Sequence, residues 1–346
     1  NCFIIYFIYK LKITMKQKIL ITGITGFVGS HMADFILKSA DKYEIFGTRR
    51  YHLSRMDKVE HFFDKITWYD CDLTDPIATD KTITEINPDK IFHFAAESFV
   101  SPSWNHPHRY MSVNYNATLN ILESLRKNKS KAKILIPGSG EEYGELDESD
   151  MPIKDNTVLK PVNPYAVTKI AQDLISYVYF KSYGLNVIRC RTFNHEGPRR
   201  EYVFGLSSHA YQIAKIEAGL QDPTILVGHL KDKRNFTHVA DIVEAYWLAA
   251  EHCEVGKLYL IGNESKDSIF TFEEALEKLK NLSKIKNLKH KEHKPFVRYT
   301  NVPFLIVDTS EFSNLTGWKP KISFNQILED TLNYWRDVIK KKTSEK

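Results

Sequence analysis

Between Lys18 and Leu37 the chain reads KILITGITGFVGSHMADFIL, with glycine at 23, 26 and 29, and no other stretch limits the possible folds as tightly. KILIT is a short isoleucine-rich run suited to a strand buried on both faces. FVGSHMADFIL carries its apolar residues at helical intervals. Gly23, Gly26 and Gly29 therefore lie on a strand-to-helix turn, together with Thr25, Phe27 and Val28. Such a turn aims the unpaired N–H groups of the first helical turn, and the positive end of the helix dipole, at one spot. The missing side chains let an anion reach the backbone. Glycines also serve ordinary tight turns, but their place after a first strand and before a helix points to a pyrophosphate.

Further on, apolar runs alternate with helix-like segments. Strands are expected near 18–22, 43–47, 66–70, 89–94, 133–137 and 187–191, and helices near 27–39, 76–87, 107–128 and 163–182. This alternation predicts an α/β fold, a Rossmann-type doubly wound parallel sheet with a smaller C-terminal α/β substrate lobe. After about residue 195 the pattern becomes irregular and is punctuated by prolines. The expected division is a nucleotide-binding domain over 15–195 and a lobe over 196–340 that covers the carboxyl ends of the strands and returns some strands to the main sheet. Met15 reads as the native start, and residues 1–14, NCFIIYFIYKLKIT, as a poorly ordered upstream extension. Their apolar run is too short to span a bilayer, so no membrane association is expected.

With 346 residues, 42% of them hydrophobic, the chain can bury a large core. Its net charge of +5 is dispersed, which suits a phosphate-bearing ligand and argues against nucleic acid. Cys2, Cys71, Cys190 and Cys253 are far apart with no C-x-x-C. Neither a metal site nor a disulfide framework is expected, and a reducing cytoplasm fits.

The second strand ends in EIFGTRRYHLSR, about twenty residues after the glycines, where a dinucleotide fold meets the adenosine ribose. Arg49 and Arg50 stand there instead of an acid, which favours a 2′-phosphate and hence NADP, with NAD the alternative. Asp72 and Leu73 close the third strand beside the adenine, unless Asp72 caps the next helix. Ala95 and Ala96, followed by Ser98, end the fourth strand in small residues against which a cofactor can lie. In NPYAVTKIAQD, Tyr165 and Lys169 are one helical turn apart on one face. An ammonium and an oxidised nicotinamide near the phenol would make it a usable base.

GITGFVG, Ser139 and the Y-x-x-x-K of Tyr165 and Lys169 resemble the extended short-chain dehydrogenase/reductase superfamily. Within it, HFAAESFVSPSW, GSGEEYG, NPYAVTKIAQD, FNHEGPRR and KRNFTHVAD resemble the GDP-mannose 4,6-dehydratases and the GDP-4-keto-6-deoxymannose reductases. The resemblance implies that Ser139 holds the sugar's 4-oxygen, that Tyr165 takes the 4-hydroxyl proton, and that Lys169 tunes it and holds the ribose. Asn194, His195 and Arg200 match positions at the cofactor pocket, with Asn194 on the substrate side. Arg234 and Arg298 lie where relatives place arginines on the sugar nucleotide's pyrophosphate, although FVRYTNVP around Arg298 departs from the family pattern.

Glu141 matches the carboxylate that removes the C5 proton in a 4,6-dehydratase. Gly140 stands where dehydratases have Ser or Asp, and the reductases carry a Glu here too. The resemblance thus implies a dehydratase acting on a GDP-linked sugar with NADP. A 4-reductase or related epimerase is the alternative, and a non-catalytic NADP(H) sensor a third. A homodimer or homotetramer is expected.

Overall fold

The computed structural model describes residues 16–300 and 302–344. The expectations for residues 1–14 and Met15 lie outside the described residues. The main sheet has seven strands: β1 (Gln17–Thr22), β2 (Tyr43–Arg49), β3 (Thr67–Asp70), β4 (Lys90–His93), β5 (Lys133–Ser139), β6 (Asn186–Thr192) and, from the C-terminal half, Leu258–Ile261. Read from that last strand the order is Leu258–Ile261, β6, β5, β4, β1, β2, β3, with every pairing parallel. All six strands expected from the apolar runs are present, with ends shifted by one or two residues. The chain order reverses between β1 and β4, which opens a crevice at their carboxyl ends.

The apolar alternation along β1 explains the layering. Ile19 and Ile21 join one core with Met32, Ala33 and Ile36 of helix α1 (Phe27–Leu37). Leu20 points the other way, into a core with Ile83 and Ile86 of helix α2 (Pro76–Ile86) and with Ile121, Leu122 and Leu125. All three β1 residues are fully buried, each contributing about 1.5–3 kcal/mol. Residues of the C-terminal part form a core of their own, including Leu206, Ile213, Ile225, Leu276 and Leu328.

The helix expected over 107–128 is not uniform. It runs as α-helix over Pro107–Tyr110, as π-helix over Met111–Asn116, and as α-helix again over Ala117–Lys127. The widened turn turns Asn114 inward. Its amide accepts the Glu97 N–H at 2.8 Å and donates to the Thr168 hydroxyl at 2.9 Å, which pins the loop after β4. Helix α3 (Pro164–Tyr183) starts at Asn163, whose side chain accepts the Ala166 N–H, with Pro164 in the first helical position. It stops at left-handed Gly184. Among the described residues no helix is long and apolar enough to cross a membrane.

Candidate active site

The glycine turn is built for close approach. Gly26 precedes α1 without a side-chain cap, so the first N–H groups of that helix are left for a ligand. A Cβ at Gly29 would lie 2.3 Å from the Gly23 carbonyl oxygen. Gly23 has φ +66°, and a Cβ there would strike the Ala95 nitrogen at 2.6 Å. The turn therefore packs directly on the end of β4, and no other residue type fits.

Two compartments meet over this turn, sharing Gly23, Gly26, Phe94 and Ala96. The first, about 230 Å³, brings Thr25, Arg49, Asp72, Leu73 and Ala95 to its walls. Arg49 is already engaged: its Nε donates to Asp70 at 2.8 Å, and its guanidinium lies over Phe63 and Trp68. Arg50, which also lines this compartment, makes no ion pair among the described residues, and its N–H donates to the Ser54 hydroxyl at 2.8 Å. Asp72 does not cap α2. It accepts from the Thr74 N–H and hydroxyl, and Asp75 is the cap.

The second compartment, about 250 Å³, takes Phe27, Val28, Gly29 and Ser98 from the first half of the chain. It also gathers Ser139, Glu141, Tyr165 and Lys169, and then Asn194, His195, Arg200 and Arg298. Residues spread over 271 positions of sequence thus face one space. Arg234 is not among the residues lining either compartment: its guanidinium donates to the main-chain oxygens of Val302, at 2.6 Å, Pro303 and Lys233.

Ser139 ends β5 and Tyr165 is the second residue of α3, and both line the same cavity. Burial raises the phenol well above its ordinary range. Ser139 and Arg200 oppose that, while Glu141 and Glu142 add to it. The phenol consequently keeps its proton. Burial lowers Lys169 to about 8, against Glu142 and Asp173. Its ammonium donates to the Pro137 oxygen at 2.6 Å and to the Gln172 amide oxygen, leaving one N–H for a ligand. Gln172 continues a buried chain through Thr118 and His93 to Thr22, next to the glycine turn.

Glu141 is held on both oxygens. Arg298 approaches Oε1 at 3.2 Å and the Asn163 amide donates to Oε2 at 3.0 Å. Asn163, absent from the sequence expectations, joins this acid to the start of the helix that carries Tyr165; its only sequence signal is the Asn-Pro pair typical of a helix start. His195 stacks on Phe27 with 5° between the rings, and burial beside Arg200 lowers it to about 4. Arg200 lies over Phe204, 3.6 Å from the ring centre. Among the described residues its Nε and Glu196 Oε2 are buried without hydrogen-bond partners, 3.9 Å apart. Burial raises Glu196 to about 7.

The family model described as GDP-mannose 4,6 dehydratase matches residues 20–331. The chain is 27% identical to a GDP-6-deoxy-D-mannose reductase of Pseudomonas aeruginosa, over 94% of this chain and 99% of that protein. It is 28% identical to a GDP-mannose 4,6-dehydratase of Yersinia enterocolitica, over 90% and 91%. A solved structure of RMD from Pseudomonas aeruginosa complexed with NADPH superposes with a TM-score of 0.79 at 27% identity, covering 93% of this chain and 100% of that one.

Proposed function

The chain belongs to the GDP-mannose 4,6-dehydratase family, and from that premise we propose that it converts GDP-mannose into the 4-keto-6-deoxy sugar nucleotide. The observation that carries the reading is the convergence of Ser139, Tyr165 and Glu141 on one cavity beside the glycine turn. Bound NADP supplies one chemistry, taking a hydride from C4 of the sugar and giving it back at C6. Tyr165 receives the 4-hydroxyl proton while Ser139 holds the 4-oxygen. The new ketone acidifies the C5 proton; Glu141 removes it and passes it to the departing C6 hydroxyl, which leaves as water, and as the hydride returns to C6 the proton held by Tyr165 goes to C5. One water is lost, and the dinucleotide ends as it began.

The turn fits a dinucleotide: its backbone is bare where the diphosphate would lie, and Arg50 supplies a cation for a 2′-phosphate. Arg298 reaches the same cavity from the lobe over 196–340, which supports assigning that lobe to the sugar nucleotide, and Asn194, just ahead of the lobe, lines the cavity as well. The proposal includes a cytoplasmic homo-oligomer. Cys71, Cys190 and Cys253 are free and buried, and α3 exposes Val167, Leu174, Tyr177 and Val178 along one flank.

The second reading is reduction of a 4-keto sugar nucleotide, with Tyr165 as proton donor. The double hold on Glu141 favours it, as does a phenol that keeps its proton. The test is incubation of purified protein with GDP-mannose and no reductant. Loss of water with no net change in dinucleotide establishes the dehydratase. No turnover there, with NADPH oxidation on addition of GDP-4-keto-6-deoxymannose, establishes the reductase instead.

A further inference from the structure

Behind the cavity wall lies a buried set of charges that the proposed chemistry does not use. Glu142 is fully buried. Its Oε1 accepts the Ser139 N–H at 2.7 Å, and its Oε2 accepts Arg191 Nε at 2.7 Å. Arg191 continues to Asp173 Oδ2 at 2.7 Å and to the Tyr143 hydroxyl at 3.1 Å. Arg189 closes on both Asp173 oxygens at 2.6 and 2.9 Å. Asp173 sits on α3 one turn beyond Lys169. The strand has made room for this carboxylate: a Cβ at Gly138 would lie 2.4 Å from Glu142 Oε1.

We propose that Glu142 is a positioning residue for the reaction, fixing Ser139 and linking the end of β5, through Arg191 and Asp173, to the helix that carries Tyr165 and Lys169. This rests on the reading of Ser139 and Tyr165 as the reacting pair, which dehydration and 4-keto reduction share. A crosslink needed only for stability would be served as well by apolar side chains, because burying ions costs about as much as their pairing returns. What the ions add is direction. Glu142 holds the Ser139 backbone from behind, so the hydroxyl is aimed at the phenol, and a misplacement of about 1 Å at such a pair costs on the order of 10²-fold in rate. The groups facing Glu142 are the Ser139 N–H from β5, Arg191 from β6, and Lys169 and Asp173 from α3. Burial raises the Glu142 carboxyl against the pull of Arg191.

The test compares Glu142→Gln with the double variant Glu142→Leu/Arg191→Met, assayed in whichever of the two reactions the purified protein performs. Failure of the dehydratase reading therefore leaves this test intact. In Glu142→Gln, kcat is expected to fall about 10²-fold, while KM for the sugar nucleotide and the affinity for NADP(H) move less than about 3-fold. The double variant removes the pair without stranding a charge, so its melting temperature should fall by no more than the lost bonds to the Ser139 N–H and the Tyr143 hydroxyl account for, while kcat stays as low. Wild-type kcat should decline as the solution is acidified below neutrality, when the Arg191 bond is given up, and Glu142→Gln should lack that limb. A double variant with wild-type kcat, or the same acidic limb in Glu142→Gln, overturns the proposal.

Discussion

Arg298 Nη1 lies 3.2 Å from Glu141 Oε1, joining two residues 157 positions apart across the mouth of the cavity. Glu141 can therefore serve as a base only if the sugar nucleotide draws Arg298 away. The diphosphate is a ligand able to do that, because it offers a guanidinium the same two-pronged pairing with more charge.

If Glu141 removes the C5 proton, Glu141→Gln should slow loss of water about 10³-fold. C4 oxidation should persist, so the near-ultraviolet band of reduced nicotinamide should grow in as a single turnover and remain. Water loss at the wild-type rate would exclude Glu141 from this role.

Removing the phenol should stop either reaction. Tyr165→Phe keeps the buried ring, and Lys169 stays tied to Pro137 and Gln172. We expect about a 10³-fold loss in kcat with NADP(H) binding within about 3-fold, read by steady-state kinetics and fluorescence titration.

Arg49 and Arg50 should behave differently. Arg50 makes no ion pair among the described residues, so Arg50→Ser is expected to weaken NADP(H) about 10- to 100-fold and leave NAD(H) nearly unchanged. Arg49→Ser should matter less to that discrimination, since Asp70 already holds the guanidinium. Isothermal titration with both dinucleotides checks the order, and an equal loss in the two variants would contradict it.

His93 should make the fold acid-sensitive. It bridges the Thr22 and Thr118 hydroxyls in the interior, and burial, with Lys169 nearby, lowers it from 6.5 to about 3. Above pH 6.5 the imidazole is neutral in both folded and unfolded chains. Below that the unfolded chain takes up the proton first, so stability is lost as pH falls from 6.5 towards 3. Each pH unit in this window costs about 1.4 kcal/mol. In denaturant titrations across it, His93→Gln should show an acid slope shallower by about that amount; an unchanged slope would place the proton elsewhere.

The order of strands and helices, the bare turn at Gly23, Gly26 and Gly29, and the pairing of Tyr165 with Lys169 were all legible in the sequence. Each is a local matter: apolar periodicity selects strand or helix, and a positive φ or a four-residue spacing is settled within one turn. Which arginine is free, by contrast, depended on where Asp70 came to lie beside Arg49, on the neighbouring strand. The hold on Glu141 joins Asn163 and Arg298, and the one on Ser139 runs through Glu142 to Arg191; none of these has a spacing that announces it. Arg234 donates to the carbonyls of Lys233, Val302 and Pro303, partners that no motif names. The sequence alone thus determined which groups of the right chemistry exist and on what elements they ride. Only the tertiary structure decided which of them are already satisfied, because a charge buried in the interior must find its partner wherever the folded chain brings one.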